Sequence, residues 1–236
     1  AVNDLILADV KAKLAANPQS PELLALVAEA ERYSEQGPDK PFLDVWFENE
    51  THGFVVGAYN LLLETTDGGQ TWASWFDRAE NPRFMNLYSI RPAAGGLYIA
   101  GEGGTVLKLD PVARRFASVS VDYGGSLFGI ADAGDAVLVF GLRGNAFRSA
   151  DGGATWTRID TRLPATIVSA TRMDHGEIVL ADQGGRIAVS HDGATSFDLI
   201  PRKRSLPLTS IAYAGAERLA ATGPFGVTVV APDAPR

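Results

Sequence analysis

Cysteine is absent from these 236 residues, and methionine (2) and histidine (3) are nearly so. Without cysteine there is no disulfide framework and no thiolate metal site. His52, His175 and His191 are scattered without a ligand spacing, so the sequence offers no metal centre. No run approaches the roughly 18 unbroken apolar residues of a membrane-spanning helix. Basic residues are also short: 21 Lys and Arg stand against 28 Asp and Glu, a formal charge of −7. That balance argues against a protein that coats nucleic acid, because neutralising phosphates takes a cationic surplus. The glycine pairs fall at turns and never open a helix, so a nucleotide-phosphate cradle is missing and no cofactor is implied.

What is abundant points to β structure. A hydrophobic content of 46% supplies a core, and 25 Gly with 13 Pro suit many tight turns. Helical spacing is confined to residues 1–40. Val2, Leu5, Ile6, Val10 and Leu14 predict a first helix that Asn17-Pro18 stops. Ser20 caps a second, with Pro21 at its first position and Leu23, Leu26, Val27, Ala30 and Tyr33 as its apolar stripe, ended by Gly37-Pro38. The expectation is a helical hairpin with its stripe buried against the rest of the chain.

From Pro41 onward, short β-branched and aromatic runs alternate with Gly-rich turns. The order repeats. Asp67 in ETTDGGQTW and Asp151 in RSADGGATW lie 84 positions apart, twice 42; Asp110 falls between them and Asp192 follows a further 41 on. Each unit reads as four short strands, such as SLFGIAD, AVLVFG, NAFRSAD and TWTRID. Four antiparallel strands per roughly 40–50 residues is the pattern of propeller blades. The expected division is 41–80, 81–121, 122–162 and 163–204, with an incomplete fifth unit at 205–236 that lacks a last strand. Such an open edge is a liability, and it leads to the expectation that about two blades and a closing strand precede Ala1.

The turns Thr65 to Trp72 and Ser149 to Trp156 fit S/T-x-D-x-G-x-T-W, and Ser190 to Phe197 is a weaker copy. Asp67, Asp151 and Asp192 suit the turn because a carboxylate accepts hydrogen bonds from nearby amides. Gly69 and Gly153 allow positive φ. Trp72 and Trp156 are expected to bury large apolar surface between adjoining strands, and Phe197 closes the weaker box. Recurrence in blade after blade favours a structural fastener over a catalytic or calcium-binding role.

These boxes, the 42-residue register, Gly57, Gly101 and Gly141 at the ends of second strands, and the aromatic closing each box resemble the BNR/Asp-box propellers. Within them the chain is similar to bacterial relatives of the photosystem II stability and assembly factor family, over residues 41–236. The resemblance implies a seven-bladed propeller with a helical insertion, here residues 1–40. It also implies a periplasmic or otherwise exported scaffold that binds a protein partner, such as a membrane complex. Fold alone does not settle activity, since Asp boxes also occur in sialidases and other glycosidases.

Ligands of propellers commonly meet the face made by the turns between second and third strands and by the links between blades. Here those turns carry Tyr59 and Asn60, Glu102, Arg143 with Asn145, Asp182 with Gln183, and Phe225; the links add Arg83 and the basic run Arg202, Lys203, Arg204. The mixture of an aromatic, an arginine and acids suits a polar protein surface better than one repeated chemistry. An ordinary solvated rim would look the same in sequence. Arg143 is the leading single contact, because guanidinium makes several oriented hydrogen bonds. The alternative is glycoside hydrolysis of the sialidase type. It needs an arginine cluster, a Tyr and Glu pair and an acid; Tyr59, Tyr88, Tyr98, Tyr123 and Tyr213 are candidates, but no Glu stands in a matching pattern. The reading is a non-catalytic, partner-binding propeller.

Overall fold

The computed structural model describes residues 2–202 and 205–231. Two helices, α1 (Val2–Ala16) and α2 (Pro21–Gln36), precede five antiparallel sheets. Blade 1 holds β1 (Phe42–Phe47), β2 (Gly53–Gly57), β3 (Leu62–Thr65) and β4 (Ala73–Ser74). Blade 2 holds β5 (Leu87–Ala93), β6 (Gly96–Gly101), β7 (Val106–Asp110) and β8 (Arg115–Ser118). Blade 3 holds β9 (Leu127–Asp132), β10 (Val137–Gly141), β11 (Ala146–Ser149) and β12 (Thr157–Ile159). Blade 4 holds β13 (Ile167–Arg172), β14 (Ile178–Asp182), β15 (Ile187–Ser190) and β16 (Asp198–Leu199). Blade 5 has three described strands, β17 (Ser210–Tyr213), β18 (Leu219–Gly223) and β19 (Gly226–Val230). The chain is a β-propeller. Its first strands, β1, β5, β9, β13 and β17, stand side by side along the inner edge.

Blades 2, 3 and 4 each lie between two neighbours and blade 1 between blade 2 and the hairpin, so both faces of these four sheets are apolar. In β10, Val137 and Val139 pack with blade 2 residues such as Tyr98 and Ala100, while Leu138 and Phe140 pack with Ile178 and Leu180 of blade 4. Blades 1 and 2 meet through Phe54, Trp75, Ile90 and Phe116, and blades 4 and 5 through Val179, Ile187, Ile211 and Leu219. Burial at about 25 cal/mol per Å² across four such interfaces is what holds the blades in register.

The hairpin covers the face of blade 1 that points away from blade 2. Ile6, Val10, Ala30 and Tyr33 pack on Val55, Leu61, Leu63 and Phe76. Ser20 accepts from the Leu23 amide with Pro21 at the helix start, as its sequence predicts. Within the predicted stripe only Ile6, Val10, Ala30 and Tyr33 are fully buried; Leu5 is exposed and Leu23, Leu26 and Val27 are half-buried, because the hairpin rests on one narrow ridge. At the far end, Val227 and Val229 of β19 remain exposed at 70% and 61%.

The Asp turns are closed by their own side chains. The Asp151 carboxylate accepts from Ser149 Oγ (2.7 Å), the Thr155 amide (2.9 Å) and Thr155 Oγ1 (2.5 Å). Asp67 repeats this with Thr65 and Thr71 at 2.6–2.9 Å, and Asp192 with Ser190 and Ser196 at 2.6–3.0 Å. Two details depart from the sequence reading. Trp72 and Trp156 are half-buried, each donating its indole N–H to the box glycine carbonyl, at 3.2 Å to Gly69 and 3.1 Å to Gly153. Among the box aromatics only Phe197 is buried; the buried tryptophan of blade 1 is Trp75, three residues later, donating to Glu64 at 2.8 Å. Secondly, counting from the start of each third strand, Pro111 stands where Asp67, Asp151 and Asp192 stand. Asp110 lies one place earlier and caps its own turn through the Val112 and Ala113 amides.

Candidate functional site

In an antiparallel blade, turns alternate between two faces. The first-to-second and third-to-fourth strand turns, including the Asp boxes, lie on one face. The second-to-third turns and the links between blades lie on the other, which holds the predicted contact residues.

On that second face, blades 1, 2 and 3 use the same one-turn 3-10 segment, at Ala58–Asn60, Glu102–Gly104 and Leu142–Gly144. Its middle residue has positive φ in all three: 54° at Tyr59, 62° at Gly103 and 57° at Arg143. The next position is also left-handed, and there Gly104 and Gly144 lie so close to the following link that a Cβ would sit 1.8 Å from the Tyr123 carbonyl and 1.7 Å from that of Leu163. Only glycine fits such an approach. Tyr59 and Arg143 thus occupy a backbone conformation that costs a side-chain-bearing residue about 1 kcal/mol or more, and both are exposed.

The predicted residues divide into three groups. Asn60 and Asp182 are buried, at 1% and 0% exposure: Asn60 donates to the Phe76 carbonyl and accepts from Asn81, and Asp182 accepts from the Arg186 amide. Glu102 and Asn145 brace their turns, the first through Asn86 Nδ2 (2.9 Å), the second through the Leu142 carbonyl (2.8 Å) and Tyr123 OH (3.2 Å). The third group faces solvent at least in part. Arg83 reaches the Gly103 carbonyl (3.3 Å), Arg202 reaches the Gly185 carbonyl (2.6 Å), and Tyr59, Arg143 and Gln183 are exposed. Lys203 and Arg204 lie outside the described residues.

Arg143 does not stand alone. With Arg158 of β12 and Arg162 of the following link it lines a cavity of about 570 Å³, to which Ile159, Leu163 and Pro164 add apolar surface. Asp160 also lines it, exposed, and accepts from the Arg162 amide at 2.9 Å. Arg162 meets Asp198 at 3.1 Å, both exposed. Among the described residues, neither the Arg143 nor the Arg158 guanidinium has a carboxylate or hydrogen-bonding partner. The result is a cationic hollow on an acidic protein. Arg158 and Arg162 escape a reading of the sequence because they stand on a fourth strand and a link, and only blade closure brings them to the Arg143 turn.

Tyr59, by contrast, belongs to the hairpin junction. Its carbonyl accepts from Tyr33 OH at 3.0 Å, and the buried Lys40 amine lies 4.4 Å from the Tyr33 ring and 5.7 Å from that of Tyr59. The tyrosines weighed for hydrolysis are dispersed: Tyr98 is buried, Tyr123 binds Asn145, and Tyr213 donates to Asp174 at 2.5 Å. No group of three or more His, Cys, Asp or Glu among the described residues is placed to hold a metal ion, and no helix among them is long and apolar enough to cross a membrane.

Comparison with known proteins follows the same lines. The sequence family described as Photosynthesis system II assembly factor YCF48 matches residues 32–125. The photosystem II assembly lipoprotein Ycf48 of Synechococcus sp. (strain CC9902) is 28% identical over 158 residues, 66% of this chain; the match spans 35% of that relative's own length. Among solved structures, YCF48 bound to D1 peptide superposes with a TM-score of 0.57 at 21% identity, covering 81% of this chain and 67% of the other. YCF48 from Cyanidioschyzon merolae does so at 0.64 and 19% identity, covering 84% and 69%.

Proposed function

We propose that this chain, a BNR-repeat propeller related to the photosystem II assembly factor, is a non-catalytic binding protein that holds an acidic segment of a partner protein on the face bearing Arg143. The observation that carries the reading is the cavity of Arg143, Arg158 and Arg162, with two guanidinium groups unpaired among the described residues. Arginine presents five donors in a planar fork that matches a carboxylate with two parallel bonds. The left-handed conformation at Arg143 sets its side chain at an exposed turn tip beside the cavity. The partner is a component of a membrane complex met during assembly, and the protein works outside the cytoplasm. Both points rest on relatives, one named an assembly lipoprotein and one solved with a bound peptide.

Isothermal titration with a short Asp- and Glu-rich peptide and its Asn and Gln counterpart tests this. The acidic peptide is expected to bind, and Arg143→Ala or Arg158→Ala to weaken it about tenfold, as for arginine anchors at interfaces. Equal binding of the two peptides, or full affinity in both variants, overturns the site. Turnover of a fluorogenic sialoside by the purified protein overturns the non-catalytic reading.

A further inference from the structure

The face opposite Arg143 holds a second cleft, of about 520 Å³, at the first-to-second strand turns of blades 1, 2 and 3. Its floor is apolar: Trp46, Phe54, Leu97 and Leu109 line it. Its volume and apolar floor with a few polar groups are those of a ligand site. At the mouth, His52 stands between two carboxylates, its Nδ1 2.8 Å from Glu48 and its Nε2 3.1 Å from Glu64. Glu64 is saturated, taking Trp75 Nε1 at 2.8 Å and Arg114 at 3.0 Å as well. Asp132 is likewise satisfied by the Ala94 amide and Arg172.

Two groups in this cleft are left open among the described residues. Glu48, its side chain 59% exposed, is engaged through Oε2 alone, which leaves Oε1 without a donor among the described residues. Trp46 is the one tryptophan of four whose indole N–H donates to nothing: Trp72, Trp75 and Trp156 donate to Gly69, Glu64 and Gly153. That N–H is not sealed off by the protein, so it stays available within the cleft. An aromatic wall, an apolar floor and an open carboxylate at the rim are complementary to a side chain that is aliphatic along its stem and cationic at its head. The chain makes that pairing internally, with Arg78 and Arg114 over Trp75 and Lys40 over Tyr33.

We propose that this cleft is a second binding site, which takes an arginine side chain from an extended basic segment of a partner protein. The stem lies against Trp46, Leu97 and Leu109, the guanidinium pairs with Glu48, and the indole N–H of Trp46 donates to a backbone carbonyl of the segment. The two faces of the propeller then differ in sign, one reading acidic chain and the other basic. This site stands independently of the Arg143 cavity.

Indole N–H resonances of the full chain, followed by NMR as acetyl-Leu-Arg-Leu-amide is added, test the assignment; Trp46→Phe identifies the Trp46 signal. The Arg peptide is expected to shift that signal, acetyl-Leu-Glu-Leu-amide to leave it in place, and Glu48→Gln to weaken binding about fivefold, as expected for an exposed ion pair. Arg143→Ala is expected to leave the response intact, which separates this site from the other face. A Trp46 signal that does not move, that moves equally with the Glu peptide or with acetyl-Leu-Leu-Leu-amide, or that responds alike in Glu48→Gln, overturns the proposal.

Discussion

Lys108 Nζ of blade 2 donates to the carbonyl of Gly152 in the Asp turn of blade 3, at 2.8 Å. One blade on, Arg148 Nε of the same strand position donates to Gly193 of the next Asp turn, at 2.7 Å. One blade back, Glu64 at that position takes Arg114 of the blade 2 turn. The Asp turn is therefore shaped internally by its carboxylate and clasped externally by the preceding blade.

Removing the clasp is expected to destabilise without unfolding. Lys108→Met should cost about 1 kcal/mol and Arg148→Leu about 1–2 kcal/mol, the range for a charge-assisted hydrogen bond in a partly exposed setting. The check is a lower urea midpoint at an unchanged slope of free energy against denaturant.

Acid should loosen the turns late. Three hydroxyl and amide donors around Asp151, Thr155 Oγ1 foremost, hold its carboxyl down to about 2 from 3.8, and Asp192 is lowered by Ser196 and Thr195. A depressed folded value stabilises the protein above the ordinary carboxylate range, and that contribution is lost as pH falls toward about 2. In carboxyl NMR titrations Asp151 should stay ionised at pH values where aspartates lacking such donors are protonated, and Asp151→Asn should flatten the acid limb of the stability curve.

His52 works in the other direction. Its pKa is raised, chiefly by Glu48 and then by Glu64, against the opposing effect of burial. Its stabilisation is fully present below the ordinary value near 6.5 and is lost as pH rises through the raised folded value. The unfolding free-energy difference between wild type and His52→Gln should shrink across that window; a constant difference would show that the ring is held by packing on Phe54 alone.

Glycine at the turns is a sharp test of blade spacing. Gly144→Ala places a Cβ 1.7 Å from the Leu163 carbonyl at φ +72°, and should cost more than about 2 kcal/mol. Gly124→Ala meets nothing within 4 Å and should fall within about 0.5 kcal/mol of wild type. Thermal melts of the pair distinguish a backbone clash from a general effect of losing glycine.

The repeat was readable because period, turn and strand length recur, so the propeller and its Asp turns follow from the chain itself. Register was less readable where a unit changed length. Blade 2 carries Asp110 and Pro111 side by side, and only strand pairing shows that Pro111 takes the box position. Burial of single aromatics was not readable either: Trp72 and Trp75 look alike in sequence, yet one lies over a glycine at the rim and the other between two blades. The candidate sites were half visible. Arg143 stands out at a tight turn, but Arg158, Arg162, Trp46 and Glu48 acquire meaning only from neighbours that packing brings alongside.

The left-handed tip shared by Tyr59, Gly103 and Arg143 leads further. Because the tip residues bond through their main-chain N–H and C=O and the close approaches fall on the next position, the tip letter can change while the main-chain path is kept. A series of such propellers could acquire different clients by rewriting a few tip residues around the ring, each paying the same modest conformational toll, with the frame beneath left untouched.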